Sequence, residues 1–193
     1  MKGAAVSVRR RRTADESRAH ILEVAAKRLR EHGLEGLNIT GVSDEAGISH
    51  ATLIHHFGSS GGMRDALADK MTLSLISDLV EALGAHVAPG QLIQNVFDAL
   101  AAGGHAKLLA WRAVEGSGSR HDAGPVVELF AKLLATTRES LGVESDVQAR
   151  QIIYLVAIAA LGHGLAGNVL ADLLGMDGEE MAAFPDWMNA KLT

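Results

Sequence analysis

Apolar residues recur at every third or fourth position along most of the chain, which is the period of an α-helix. The clearest example is the segment 14–32, where Ile21, Leu22, Ala25 and Leu29 share one face. Runs of alternating β-branched residues, which would indicate strands, are few. The pattern therefore predicts an all-α protein.

Capping residues and glycines divide this pattern into about nine helices. Ser, Thr or Asn precedes several of the predicted helices, and Gly follows several of them. The predicted helices cover about 14–32, 39–46, 50–56, 60–84, 90–102, 105–116, 125–141, 146–174 and 179–191. We predict a small N-terminal domain, 13–58, joined through the fourth helix to a larger helical domain, 59–193.

The second and third predicted helices are short and are joined by a tight turn. Gly47 suits the left-handed position that ends a helix, and Ser49 suits the cap of the next one. Leu53 and Phe57 are expected to face the core. Two helices joined by a glycine-containing turn, with another helix to pack on, form the helix-turn-helix plan of DNA-binding proteins. The sequence therefore predicts DNA binding by residues 13–58.

The net charge of −5 is distributed unevenly along the chain. Residues 1–58 contain nine basic and seven acidic residues, giving +2, whereas 59–193 contain nine and sixteen, giving −7. Residues 1–12 are predicted to be a disordered basic arm that contacts DNA through Arg9, Arg10, Arg11 and Arg12. The arm could enter the minor groove, but we favour attraction of phosphates with modest specificity.

Composition narrows the remaining classes. No cysteine is present, so disulfides and thiolate metal sites are excluded. The most apolar run, 152–161, is about half the length that a membrane span needs. No apolar signal segment is visible at the N-terminus. We therefore expect a soluble, cytoplasmic protein without a cofactor.

Several short motifs carry a resemblance to a known family. They are Ile21-Leu22, Ala25-Ala26, Gly33, Ala46-Gly47-Ile48-Ser49, Thr52-Leu53 and His55-His56-Phe57-Gly58-Ser59. Together they resemble the N-terminal domain of TetR-family transcriptional regulators over about residues 14–70. The resemblance implies a homodimeric repressor that binds a palindromic operator and is released by a small-molecule effector. It also implies an effector pocket and a dimer interface in the larger domain.

Five positions depart from the family pattern. His50 stands where Lys is common, Ala51 where Gly is common, and Ile54 where Tyr or Trp often contacts the DNA backbone. Ser60 replaces a common Lys, and Gly41 replaces a Glu that would complete a capping box. We therefore expect DNA binding to be weaker, or to depend more on the arm, than in most of the family.

The predicted DNA contacts lie at the start of the second helix and along the third. They are Asn38, Thr40, Ser49, His50, Ala51, Thr52, His55 and His56. Alternatively, one histidine of the His55-His56 pair packs in the core. A metal site made by His50, His55 and His56 is disfavoured, because their spacing does not place them on one helical face.

The effector pocket is predicted from large aromatic residues and a nearby carboxylate of the second domain. The candidates are Phe97, Trp111, Glu115, Phe130 and Tyr154. Each could equally be ordinary core. The dimer interface is predicted at the small residues Ala160, Gly164 and Gly167, extended by Phe184 and Trp187. Alternatively, these glycines let the helix pass the ligand pocket.

Two other functions remain open at this point. A helical ligand-binding dimer with weak or lost DNA binding would also explain why the usual phosphate-binding residues are missing. An enzyme is disfavoured because His105, Glu115, His121 and Asp122 are scattered and form no recognisable catalytic motif.

Overall fold

The computed structural model describes residues 13–102, 104–115, 124–142 and 144–192. These residues form ten α-helices and one short 3-10 helix, Gly33–Gly36, without a β-strand. The helices are α1 Ala14–His32, α2 Ile39–Ala46, α3 His50–Phe57, α4 Ser60–Gly84, α5 Pro89–Ala102, α6 His105–Glu115, α7 Gly124–Leu141, α8 Asp146–Leu174, α9 Gly178–Ala182 and α10 Phe184–Leu192. The predicted all-α class is confirmed. The predicted arm, 1–12, lies outside the described residues.

Local capping explains why the first helices begin and end where the sequence predicts. The Thr13 hydroxyl accepts a hydrogen bond from the Glu16 backbone N–H. The Glu16 carboxylate accepts one from the Thr13 backbone N–H, so both halves of a capping box are present. Gly47 adopts the left-handed conformation, φ 67° and ψ 37°, immediately after α2.

One helix prediction is wrong. The segment predicted as a single helix, 179–191, forms α9 and α10, with the break at Ala183. Pro185 lies in the first turn of α10, where a missing backbone N–H costs least, and it cannot continue the hydrogen bonding of α9. The described residues therefore contain ten α-helices rather than about nine.

The N-terminal core is built by α1 to α3 together with the start of α4. Ile21, Leu53 and Met63 are fully buried in it. Leu67 of α4 and Leu108 of α6 belong to the same cluster. The core therefore continues past residue 58, and both α4 and α6 link it to the rest of the chain.

The larger part of the chain is a bundle around α4, α5 and α8. Helix α5 packs against α8 and α10, while α7 packs against α4 and α8. Phe97 and Met188 are buried in one core cluster, and Ile76 and Leu133 are buried in another. A cavity lies beside α4, and residues from both clusters line it.

Helix α8 has 29 residues, and its length and composition would suffice for a membrane span. The apolar pattern of the sequence predicts no segment of sufficient length, because its most apolar run, 152–161, is shorter. One side of α8 packs on α5, α6 and α7, and much of the other side is exposed.

Candidate DNA interface and ligand cavity

Helix α3 is fixed at its start by a side-chain cap. The Ser49 hydroxyl accepts from the Thr52 backbone N–H at 3.1 Å and lies 2.9 Å from the Thr52 hydroxyl. Leu53 is fully buried, whereas His50 and Ala51 are exposed. The helix therefore presents its N-terminal residues to solvent while its inner face holds it to the core.

Arg18 of α1 anchors the other end of α3. Its guanidinium donates to the His56 carbonyl at 2.7 Å and lies 4.4 Å from the centre of the Phe57 ring. His55 is exposed and His56 is half-buried. Sequence reasoning missed Arg18, because nothing local shows that it contacts a residue 38 positions away.

The start of α2 is also built by side chains. The Asn38 side chain accepts from the Gly41 backbone N–H at 2.8 Å and donates to the Glu35 carbonyl at 2.8 Å. Asn38 therefore serves as a structural cap, and the exposed Thr40 beside it is available to a partner.

The departure from the family pattern at Gly41 has a structural reason. A Cβ atom at Gly41 would collide with the guanidinium of Arg28. Arg28 donates to the Gly36 carbonyl at 2.8 Å and pairs with Glu45 at 3.1 Å. Arg28 of α1 therefore occupies the space beside Gly41 and ties α1 to α2 through Glu45.

Ser60, another of these departures, bonds to the segment that precedes α2. The Ser60 hydroxyl donates to the Leu37 carbonyl at 3.1 Å, and Ser59 caps α4 by accepting from the Gly62 backbone N–H at 3.0 Å. Arg64 donates to the same Leu37 carbonyl at 3.3 Å. The beginning of α4 is therefore tied to the segment that leads into α2.

The predicted DNA-contact residues of the first domain, apart from the arm, lie on α2, on α3 or at their caps. Residues 38–63 contain no Lys or Arg, so the histidines are the only side chains there that can gain positive charge. Among the residues that the structure describes, no group of three or more His, Asp and Glu could hold a metal ion.

The larger domain contains a cavity of about 230 Å³. Side chains from α4, α5, α6, α7, α8 and α10 line it, and most are Leu, Ile or Val. Thr72, His105, Thr137 and Asn189 supply the polar groups, and no Asp, Glu, Lys or Arg is among the described lining residues.

His105 is the titratable group of this cavity. It is 2% exposed, and its Nε2 lies 3.1 Å from the Thr72 hydroxyl. Burial lowers the pKa of His105 from 6.5 to about 4. The imidazole is therefore neutral at neutral pH and can form hydrogen bonds without placing a charge in the cavity.

Of the five predicted pocket residues, only Phe130 lines this cavity. Phe97 is buried against the rings of His163 and Phe184, with centroid distances of 5.3 and 5.8 Å. Trp111 packs against the N-terminal core. Glu115 is exposed at the end of α6 and Tyr154 is 69% exposed on α8.

These four residues lie outside the cavity, because residue type alone does not show which face of a helix borders a cavity, and their contact with a ligand stays a prediction. A usable signal was present in Thr72, His105 and Thr137. These polar residues lie among apolar ones, and the structure places all three at the cavity.

Two of the predicted interface residues are covered by the chain itself. Ala160 is fully buried, and a Cβ atom at Gly164 would lie 3.1 Å from the Ala106 Cβ and 3.2 Å from the Leu100 carbonyl oxygen. Their small size allows close packing of α8 on α5 and α6 within the chain, and their place in a dimer interface stays a prediction. Gly167 and Phe184 border a second, open cavity, and Trp187 is 57% exposed.

A different surface of α8 is open. Exposed residues with i, i+3 and i, i+4 spacing form a mainly apolar stripe along the helix. We define this α8 stripe as Val147, Tyr154, Leu155, Ile158, Leu165, Val169 and Leu173.

Helix α6 contacts both the cavity and the N-terminal core. His105 at its first position lines the cavity, and Leu108 one turn later is buried in the N-terminal core. Arg112 donates to Asp69 of α4 at 2.5 Å. The Arg64 guanidinium lies 5.2 Å from the Trp111 ring centre, so α6 also contacts the residue that secures the start of α4.

A helix-turn-helix unit joined to a larger all-helical domain is the architecture of a class of DNA-binding transcriptional regulators. Residues 21–67 match the family model described as "Bacterial regulatory proteins, tetR family". The chain thus carries the DNA-binding domain of TetR-family transcriptional regulators, and the family recognised from the sequence motifs is confirmed.

Two known proteins extend this comparison. The HTH-type transcriptional regulatory protein RaaS from Mycobacterium tuberculosis is 37% identical over 73 residues, which are 37% of this chain and 34% of that protein. The match thus spans about a third of that relative. A transcriptional regulator from Rhodococcus sp. Rha1 has a similar fold, with a TM-score of 0.53 at 19% identity, covering 91% of this chain and 95% of that one.

Proposed function

We propose that this protein is a cytoplasmic, homodimeric repressor whose affinity for a palindromic operator is lowered by a small molecule in the cavity. The observation that carries the proposal is the position of α6, which lines the cavity at one end and packs into the DNA-binding domain at the other. A ligand that moves α6 would therefore also move the domain that contains α3, the recognition helix of the helix-turn-helix.

DNA binding is supported by the way α3 is held. The helix has eight residues and is therefore about 12 Å long, a size that enters a major groove. Its exposed N-terminal positions and the exposed Thr40 of α2 are the residues of this region that would meet phosphates or base edges. The caps at Ser49 and Asn38 and the anchor at Arg18 pre-organise this region before DNA arrives.

Homodimerisation is supported by the α8 stripe. An exposed apolar face of this length is unusual on a monomer and suits a self-complementary contact with a second copy about a two-fold axis. The contact would pair the two recognition helices at a spacing of about one turn of DNA, roughly 34–36 Å.

A second function is favoured by one observation, the absence of Lys and Arg from residues 38–63. A ligand-binding dimer with weak DNA affinity would need no phosphate contacts there. The arm decides between the two functions, because phosphate contacts set the affinity and the salt dependence of DNA binding.

The test is DNA binding by the full chain to the promoter region beside its own gene, measured by fluorescence anisotropy at several salt concentrations. We expect binding at low salt. Removal of residues 1–12 should weaken it and reduce the slope of log K against log salt by about 0.9 for each phosphate that the arm neutralises. Absence of binding at low salt would refute the repressor, and an unchanged slope would refute the role of the arm.

A pair of variants tests the recognition helix itself. His55→Asn should weaken operator binding by about tenfold, because the shorter amide reaches less far and cannot gain a positive charge beside a phosphate. His86→Asn is the matched control, because His86 is exposed beyond the far end of α4 and Asn tolerates its φ of 55°. Equal affinities of the two variants would contradict the contact.

A further inference from the structure

The length of the α4 segment that lines the cavity and the volume of the cavity restrict the ligand. Its α4 wall runs from Thr72 to Leu83, which corresponds to about 16 Å at the rise of an α-helix. Its volume, about 230 Å³, is below the usual range of pockets for drug-sized ligands, about 300–1,000 Å³. A slender molecule fits this space better than a broad ring system.

The polar groups of the cavity are few. His105 and Thr72 form one polar point where α6 begins. Asn189 of α10 also lines the cavity and lies beside Gly90, at the start of α5, where a Cβ would be 3.1 Å from its Nδ2. Thr137 adds a hydroxyl from α7. Most of the wall between these points offers only apolar contacts.

The electrostatics of the cavity select against charge. None of its described lining residues is Asp, Glu, Lys or Arg, so an ionised ligand group would lose its water without gaining a charged partner. Burial lowers the pKa of His105 to about 4, so this imidazole supplies no positive charge at neutral pH. A neutral hydroxyl or carbonyl, in contrast, can bond with the imidazole or with a threonine hydroxyl.

We infer that the effector is an uncharged, elongated, mainly aliphatic molecule whose hydroxyl or carbonyl oxygen lies at the His105–Thr72 end of the cavity. This inference rests on the proposed function, in which the cavity is the effector site. The oxygen then lies at the first turn of α6, the helix that reaches the DNA-binding domain.

The test compares probes of equal chain length and different charge. 1-Decanol, decanoate and decylammonium are titrated into the full chain at neutral pH, below their micelle-forming concentrations, and binding is measured by calorimetry. We expect 1-decanol to bind and both ions to bind at least about tenfold more weakly, because each would bury an unpaired charge. Equal or tighter binding of either ion would overturn the inference, as would failure of all three probes to bind.

Two variants locate the binding. Ala157→Phe places a large side chain in the cavity and should abolish 1-decanol binding. Ala135→Phe is the matched control, since Ala135 is exposed on α7 and does not line the cavity. Thr72→Val keeps the side-chain shape, tests the cavity without a large insertion, and should weaken 1-decanol binding by up to about tenfold through loss of a hydrogen bond at the His105–Thr72 end. Unchanged binding by both cavity variants would overturn the inference.

The operator assay separates this inference from the proposed function. Operator binding by the probe-free protein is measured on the same preparations. If the protein binds operator but prefers an ion, the ligand class is wrong and the repressor stands. If 1-decanol binds in the cavity and no DNA binds at low salt, the ligand class stands and the repressor fails.

Discussion

His105 is neutral in the folded protein because its imidazole is buried beside Thr72. Burial lowers its pKa from 6.5 to about 4, so between these pH values the unfolded chain binds a proton that the folded chain does not. The free energy of unfolding therefore falls as the pH drops from 6.5 to 4, by about 3 kcal/mol in total, and this contribution changes no further below pH 4. His105→Gln should remove this part of the acid sensitivity.

Urea unfolding at pH 7 and pH 4.5 measures the effect. The difference in free energy of unfolding between the two pH values should be smaller in His105→Gln than in the wild type. The control is His86→Gln, which alters an exposed histidine and should leave that difference unchanged. Equal acid sensitivity of His105→Gln and the wild type would show that the imidazole is not held neutral by burial.

At the same scale, local chemistry was predictable and long-range contacts were not. The caps at Asn38 and Ser49 follow from residue type and spacing to the next backbone N–H, and the structure contains both. The contacts of Arg18 with His56 and of Arg64 with Leu34 span 38 and 30 residues, and no local pattern encodes them. The residues that adjoin Gly41 and Ser60, which are Arg28 and Leu37, are likewise distant from them in sequence.

At the scale of helices, Gly164 is required for the close approach of α8 to α5 and α6. A side chain there would contact Ala106 and the backbone at Leu100 and Ala101 at 3.1–3.2 Å. Gly164→Leu should therefore lower the free energy of unfolding by about 1–3 kcal/mol, as expected for an overpacked contact. Urea unfolding monitored by circular dichroism measures the change.

Gly162→Ala serves as the control on the same helix. No atom lies within 4 Å of the Cβ position at Gly162, so the methyl group is accommodated and the higher helix propensity of alanine is retained. We expect no loss of stability from this change. A Gly164→Leu variant as stable as the wild type would show that α8 can move away from α5 and α6 at little cost.

The helix boundaries show what periodicity can and cannot reveal. It located α1 to α8 because each has an apolar face and identifiable ends. It did not separate α9 from α10, although Pro185 was a visible signal for a break. It also could not assign the faces of α8, because that helix is apolar nearly all round, and only the packing shows which side α5 and α6 cover.

At the scale of the whole molecule, the two sides of α8 have different surroundings. The covered side closes the bundle beside the cavity, and the α8 stripe remains open. A dimer formed through this stripe would connect the two cavities through the same helices that line them. Ligand binding in one subunit would then bear directly on the relative position of the two recognition helices.

The stripe makes a prediction about assembly. Leu165 is 45% exposed in the middle of the α8 stripe and lines neither cavity. Leu165→Glu would bury an unpaired carboxylate in the dimer, so its dimer dissociation constant should rise at least about tenfold, while the monomer keeps its helical content and binds 1-decanol. Sedimentation velocity over a range of concentrations measures the dissociation constant.

Val114→Glu is the control, because Val114 is 86% exposed at the end of α6 and lies away from the stripe. If Leu165→Glu dimerises as the wild type does, the two copies meet through another surface. The coupling between subunits must then run through helices other than α8.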